Sequence, residues 1–135
     1  MAKSEKAQQP DGNHVDDRLA RHGHLSYLEI PAMDPRQSAA FYERVFDWKI
    51  DQRSKDDFRF SGRDGLLIGR WVTGRVASRE AGVLPLIYVD DIEAAIARVS
   101  SSGGEIVKAP YAEGDVRVAR IRDPAGNLLG LWQFS

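Results

Sequence analysis

No cysteine occurs among the 135 residues, which excludes disulfides, thiolate nucleophiles and cysteine-ligated zinc. Histidine is scarce: three residues, His14, His22 and His24, all lie near the start of the chain. There is no surplus of one charge, with 19 Lys+Arg against 20 Asp+Glu, and so no general electrostatic pull toward nucleic acid or an anionic membrane. No stretch approaches the roughly 18 apolar residues of a membrane span. The opening Met-Ala-Lys-Ser-Glu-Lys lacks the apolar run of a secretion signal. These absences lead us to expect a cytoplasmic protein with neither nucleic-acid nor membrane partners.

What remains is an ordinary globular composition, 42% hydrophobic and 29% charged. Residues 1–22 read as a flexible polar tail, in which Lys3, Lys6, Arg18 and Arg21 balance Glu5, Asp11, Asp16 and Asp17. Val15 and Leu19 offer too little apolar surface to offset the entropy of ordering it. A short helix around 15–21 is the lesser alternative. From His24 the pattern turns strand-like through Leu25, Tyr27, Leu28 and Ile30. Asp34-Pro35 then opens a helix, with aspartate as cap and proline at the first helical position. Ala39, Ala40, Tyr42, Val45 and Phe46 recur at helical spacing. Strands follow at 48–52, 58–61 and 66–72, and a polar linker spans 73–82.

The same order then returns: a strand at 84–89, the cap Asp90-Asp91, a helix over 92–101, and a Gly103-Gly104 stop. A strand at 105–108, a polar loop at 109–115, a strand at 116–122, the turn Asp123-Pro124-Ala125-Gly126-Asn127 and a last strand at 128–134 complete it. Asp34 with Ala39-Ala40-Phe41 answers Asp91 with Ala94-Ala95-Ile96. Asp64-Gly65-Leu66-Leu67 answers Gly126-Asn127-Leu128-Leu129. One helix and about four strands cannot bury both faces of a sheet, so the halves must share a core. The fold class is therefore α+β: paired βαβββ modules, 23–72 and 83–135, forming a curved, cup-shaped mixed sheet with helices outside.

Together and in order, Ala39-Ala40-Phe41-Tyr42-Glu43-Arg44-Val45-Phe46-Asp47-Trp48, Tyr88-Val89-Asp90-Asp91-Ile92, Ser102-Gly103-Gly104 and Asp123-Pro124-Ala125-Gly126-Asn127 resemble the vicinal oxygen chelate superfamily. That superfamily includes glyoxalase I, bleomycin-resistance proteins and extradiol dioxygenases. The resemblance implies a divalent metal held by His, Glu or Gln on the first and last strands of each half. Here the matching positions fall on Tyr27, Leu84 and Gly130, with a fourth near Ile68. None offers a good donor, so no metal and no cofactor are expected. His22-x-His24 reads as solvated.

Alternation places Leu25, Tyr27 and Glu29 on one face of the first strand and Leu28 and Ile30 on the other. With Tyr27 at a ligand position, Glu29 points into the cup. There it serves as a candidate catalytic base with a raised pKa, or else pairs with an arginine. By the same parity Leu86, Tyr88 and Trp132 face inward, as aromatic walls for a flat or apolar ligand. Arg120 and Arg122 share a face with Val118, and Arg120 is a candidate ligand-binding residue. Arg70 and Trp71 face opposite ways, and Trp71 joins Tyr27, Tyr88, Trp132 and Arg120 as a ligand-binding candidate. Tyr111 is placed in a loop over the mouth.

The leading expectation is a glyoxalase/bleomycin-resistance-like homodimer that binds a small, partly aromatic or apolar molecule without the usual metal. One alternative is a lyase-, isomerase- or dioxygenase-like enzyme that uses Glu29 or an atypical divalent metal. Another is a non-catalytic interaction module.

Overall fold

The computed structural model describes residues 17–80 and 82–135. Most of the tail expected at 1–22, with Val15 and His14, lies outside the described residues. Its last part holds a short 3-10 turn, Asp17–Leu19, and Leu19 is buried.

Two βαβββ modules follow one another. The first comprises β1 (Tyr27–Pro31), α1 (Pro35–Phe46), β2 (Lys49–Gln52), β3 (Phe58–Ser61) and β4 (Ile68–Val72). The second comprises β5 (Leu86–Tyr88), α2 (Ile92–Ser101), β6 (Glu105–Glu113), β7 (Val116–Arg122) and β8 (Leu128–Phe134). Each module makes its own four-stranded mixed sheet, ordered β1-β4-β3-β2 and β5-β8-β7-β6. In both, the strand before the helix runs parallel to the last strand of the module.

The helices begin where aspartates can cap them. The Asp34 carboxylate accepts from the backbone N–H of Arg36 and Gln37, and that of Asp91 from Ala94. Such caps contribute about 1 kcal/mol each. The chain leaves α1 through Asp47, whose left-handed backbone (φ 59°) is tolerable for aspartate and lets its N–H bond Glu43.

One continuous core joins the modules. An aromatic series runs from Tyr42 to Trp48 (4.8 Å), Phe60 (4.7 Å) and Trp71 (4.9 Å), and the core continues into Ile92, Val99, Ile121 and Leu131. Helices α1 and α2 pack against each other. A Cβ at Gly104 would press on Phe41, Val99 and the Arg122 carbonyl within 2.8 Å, so glycine there lets the modules approach. The turn 123–127 fastens them. Asp123 accepts from the Tyr42 hydroxyl at 2.7 Å, from the Asn127 amide side chain at 2.9 Å and from the Ala125 and Asn127 backbones. Asn127 in turn donates to the Pro31 carbonyl at 2.7 Å and accepts from the Ser78 N–H.

Two local readings are corrected. The polar loop expected at 109–115 is strand: β6 continues to Glu113, passing Pro110 through register shifts between Ile106 and Tyr111. Proline lacks the N–H a ladder needs, and β6 tolerates it because it is an edge strand. The internal correspondence also shifts. Five residues before each helix cap stand Glu29 and Leu86, and their parallel partners are Arg70 and Gly130. Gly130 therefore corresponds to Arg70 rather than Ile68. The shift is two residues, so it leaves every facing intact.

Candidate functional site

Each sheet lays one face on a helix and keeps the other open. The ladders fix which residues share the open faces, because directly paired residues point the same way. On the first sheet one row is Tyr27, Ile68, Ser61 and Lys49, and the next is Glu29, Arg70, Arg59 and Asp51. On the second, one row is Leu86, Gly130, Arg120 and Lys108, and the next Tyr88, Trp132, Val118 and Tyr111.

Tyr27, Glu29, Leu86, Tyr88, Trp132 and Arg120 lie on the open faces. Trp71 faces the other way. It is 3% exposed in the core between Tyr42 and Phe60, and its neighbour Arg70 takes the open side. Tyr111 belongs to the second sheet, opposite Val118, with the Lys108 ammonium 4.0 Å above its ring. Arg117 turns to the helix side, where it bonds Glu93 at 2.6 Å, and Arg122 donates to the Arg79 carbonyl. His24 is held by the Leu66 carbonyl at 3.0 Å.

Glu29 is not the carboxylate of raised pKa that an apolar cup predicts. A hydrogen bond from Arg75, reinforced by the charges of Arg75 and Arg70, holds it below the usual carboxylate range. Arg70 Nε stands 3.4 Å from its second oxygen. A carboxylate so placed is a weaker base and a firmer anchor. The arginine partner that the sequence allowed for Glu29 is thus present, though the sequence did not say which arginine it is. Arg75 comes from the linker, 46 positions away, and Arg70 is brought alongside only by the parallel register.

On the second sheet the aromatic side chains gather. Trp132 meets Tyr88 edge-on at 4.9 Å and Phe134 at 5.2 Å, and Tyr88 is 45% and Phe134 63% exposed. Between the modules lies an apolar crevice of about 540 Å³, walled by Leu28, Ile30 and Leu67 on one side and Leu84, Leu86 and Leu128 on the other. Glu29 borders it.

A family model, "Glyoxalase/Bleomycin resistance protein/Dioxygenase superfamily", matches residues 23–131. The chain belongs to this superfamily. Among curated relatives of this glyoxalase-superfamily chain, "Putative glyoxylase CFP32" of Mycobacterium bovis is 27% identical over 126 residues, covering 84% of this chain and 46% of its own length. The chain thus spans less than half of that relative. A "Glyoxylase-like domain-containing protein" of Didymella fabae is 30% identical over 94 residues, covering 64% of this chain and 73% of its own. Among solved structures, a glyoxalase/bleomycin resistance protein/dioxygenase family enzyme from Burkholderia phytofirmans superposes with a TM-score of 0.70 at 19% identity, over 82% of this chain and 98% of that one. TnmS3, described as an antibiotic binding protein from Streptomyces sp. CB03234, gives 0.63 at 24% identity, over 83% and 96%. At these identities the structures show the fold alone.

The metal that this superfamily's name and resemblance imply does not fit the residues present. Leu84 and Gly130 have no side-chain donor, Tyr27 and the cationic Arg70 that corresponds to Gly130 are poor ligands, and the space above Gly130 is filled by the Leu86 side chain, which any Cβ there would strike. Among the described residues no three His, Asp or Glu gather to hold a metal ion.

Proposed function

We propose that the protein binds a small, partly aromatic or apolar molecule in its cup, without the divalent metal. The observation that carries this reading is the Tyr88–Trp132–Phe134 group: three contacting aromatic rings left on an open sheet face, on the strand side that Leu86, a wall of the apolar crevice, also occupies. Rings buried only for core packing lie on the helix side, as Trp48, Phe60 and Trp71 do. Exposed contiguous apolar surface of this kind suits a ligand or a partner. The printed description of TnmS3 as antibiotic binding accords with such use of the fold. Isothermal titration of the native protein and Trp132→Ala against a library of small aromatic compounds tests it. We expect micromolar binders that Trp132→Ala weakens at least tenfold; equal affinities for the two proteins would refute the site.

A catalytic reading, a lyase- or isomerase-like enzyme with Glu29 as base, is favoured by the place of Glu29 at the crevice. Its lowered pKa weighs against it. Elemental analysis together with a Glu29→Gln comparison separates catalyst from binder. A homodimer is the assembly we propose, since the open aromatic face of the second sheet gains from cover; light scattering showing a monomer at micromolar concentration would remove it. A cytoplasmic location accords with the lack of cysteine, and cell fractionation checks it. No helix among the described residues is long and apolar enough to cross a membrane.

A further inference from the structure

One transverse row of the first sheet reads Asp51, Arg59, Arg70, Glu29, each residue directly opposite the next across four strands. Its two central members are like charges facing each other on the open side, an arrangement that ordinarily weakens a sheet. Each is steadied from outside the pair. Asp57 takes a two-pronged bond from Arg59, at 3.0 and 3.1 Å, and Glu29 sits beside Arg70 while also bonding Arg75. Arg53 is bonded to Asp51 at 2.9 Å. Around this row Arg53, Arg59, Arg70 and Arg75 alternate with Glu29, Asp51 and Asp57, and Asp34 and Asp56 share a pocket wall with Arg70. Tyr27, 46% exposed in the adjoining row, is close enough to interact with the charge of Arg59.

We propose that the Arg59–Arg70 pair is a seat for an oxyanion, the carboxylate or phosphate of a ligand whose apolar body lies in the crevice that Glu29 borders. The inference rests on the small-molecule reading above and adds the charge class of the ligand. Guanidinium groups stay protonated and present paired N–H donors that match a carboxylate or phosphate edge. An oxyanion between them replaces repulsion with two attractions. Asp57 engages the Nε and Nη2 of Arg59 and Glu29 stands at the Nε of Arg70, so the seat is assigned to the remaining guanidinium N–H donors of each. The equivalent row of the second module, Leu86, Gly130, Arg120 and Lys108, lacks such flanking carboxylates, so the seat belongs to the first module only.

Two titrations of the full chain at pH 7 test the proposal. Inorganic phosphate and acetate are added separately while the arginine Nε–Hε NMR signals are followed in native protein, Arg59→Gln and Arg70→Gln. Saturable shifts confined to Arg59 and Arg70, reduced in either variant and weakened by added chloride, support the seat; the tighter of the two anions identifies the source. Calorimetry then compares 2-naphthoate, 2-naphthyl phosphate and neutral 2-naphthylmethanol. A preference of about tenfold for at least one anion over the alcohol, abolished in Arg70→Gln, is expected. Non-saturable shifts spread over all arginines overturn the seat, as does equal affinity for the anions and the alcohol; in the latter case the aromatic cup stands. Saturable phosphate or acetate binding with no naphthalene binding upholds the seat and removes the aromatic cup instead.

Discussion

Replacing Tyr42 with phenylalanine removes one hydroxyl from the centre of the molecule and little else. The ring is fully buried and stacks on Trp48 at 4.8 Å, contacts that phenylalanine keeps. Lost is the 2.7 Å bond to Asp123, which ties α1 of the first module to the β7–β8 turn of the second. A buried hydrogen bond to an ionised partner contributes about 1.5–3 kcal/mol. Because the same Asp123 oxygen keeps a donor in Asn127, about 2 kcal/mol is the appropriate figure. With an unfolding entropy of about 2 cal/mol/K per residue, roughly 0.28 kcal/mol/K for 135 residues, the melting temperature should fall by about 7 °C at pH 7. A second signature follows from charge. Burial first, and then the Asp123 charge, push the Tyr42 hydroxyl pKa well above the ordinary value near 10. Above that ordinary value the unfolded chain releases a proton that the folded chain retains, so native stability declines as pH rises. The variant lacks this decline, and the gap between the two proteins should narrow above about pH 10. Circular dichroism melts at pH 7, with urea unfolding from pH 8 to 11, measure both. A melting shift under about 1 °C, or a gap constant with pH, would refute the role assigned to this bond.

Other expectations are equally direct. Gly69→Ala drives a methyl into the Leu28 carbonyl and the Phe60 ring, neither of which can retreat, and should cost upwards of about 3 kcal/mol or abolish folding, as seen in expression and thermal melts. Gly130→Ala meets only the flexible end of Leu86, and its melting temperature should fall by less than half as much. Glu29, with its pKa held down by Arg75 and Arg70, contributes stability that is complete above its ordinary value of 4.5 and is lost as acid carries the folded protein through its lower one. Glu29→Gln should flatten that limb of the stability–pH curve between about pH 5 and 3, without changing the alkaline limb. Asn127→Ala breaks the bond to Pro31 and the one from Ser78, and amide hydrogen exchange should rise at both junctions before the sheets themselves open.

Helix α2 is placed residue for residue, and the start of α1 by its Asp34 cap, because caps and periodicity are local signals. Strand parity is legible for the same reason, and it puts Tyr27, Glu29, Tyr88 and Trp132 on the open faces. What sequence hid was register between distant strands. The partners of Glu29 come from β4 and the linker, and the pairing of Arg59 with Arg70 exists only once β3 and β4 are side by side. The segment 109–115 was legible only as a polar loop; its strand character depends on pairing with β7 and on the edge position of β6, which makes Pro110 harmless.

Leu86 lying across Gly130 means that any longer side chain at position 130 must first displace it. A glutamate placed at position 130 would enter space that the Leu86 side chain occupies and is accommodated only when that side chain swings aside. A leucine that swings aside withdraws from the wall of the crevice, so the two side chains compete for one volume. Positions 86 and 130, on neighbouring strands, are therefore coupled: side-chain volume gained on β8 is apolar wall lost on β5.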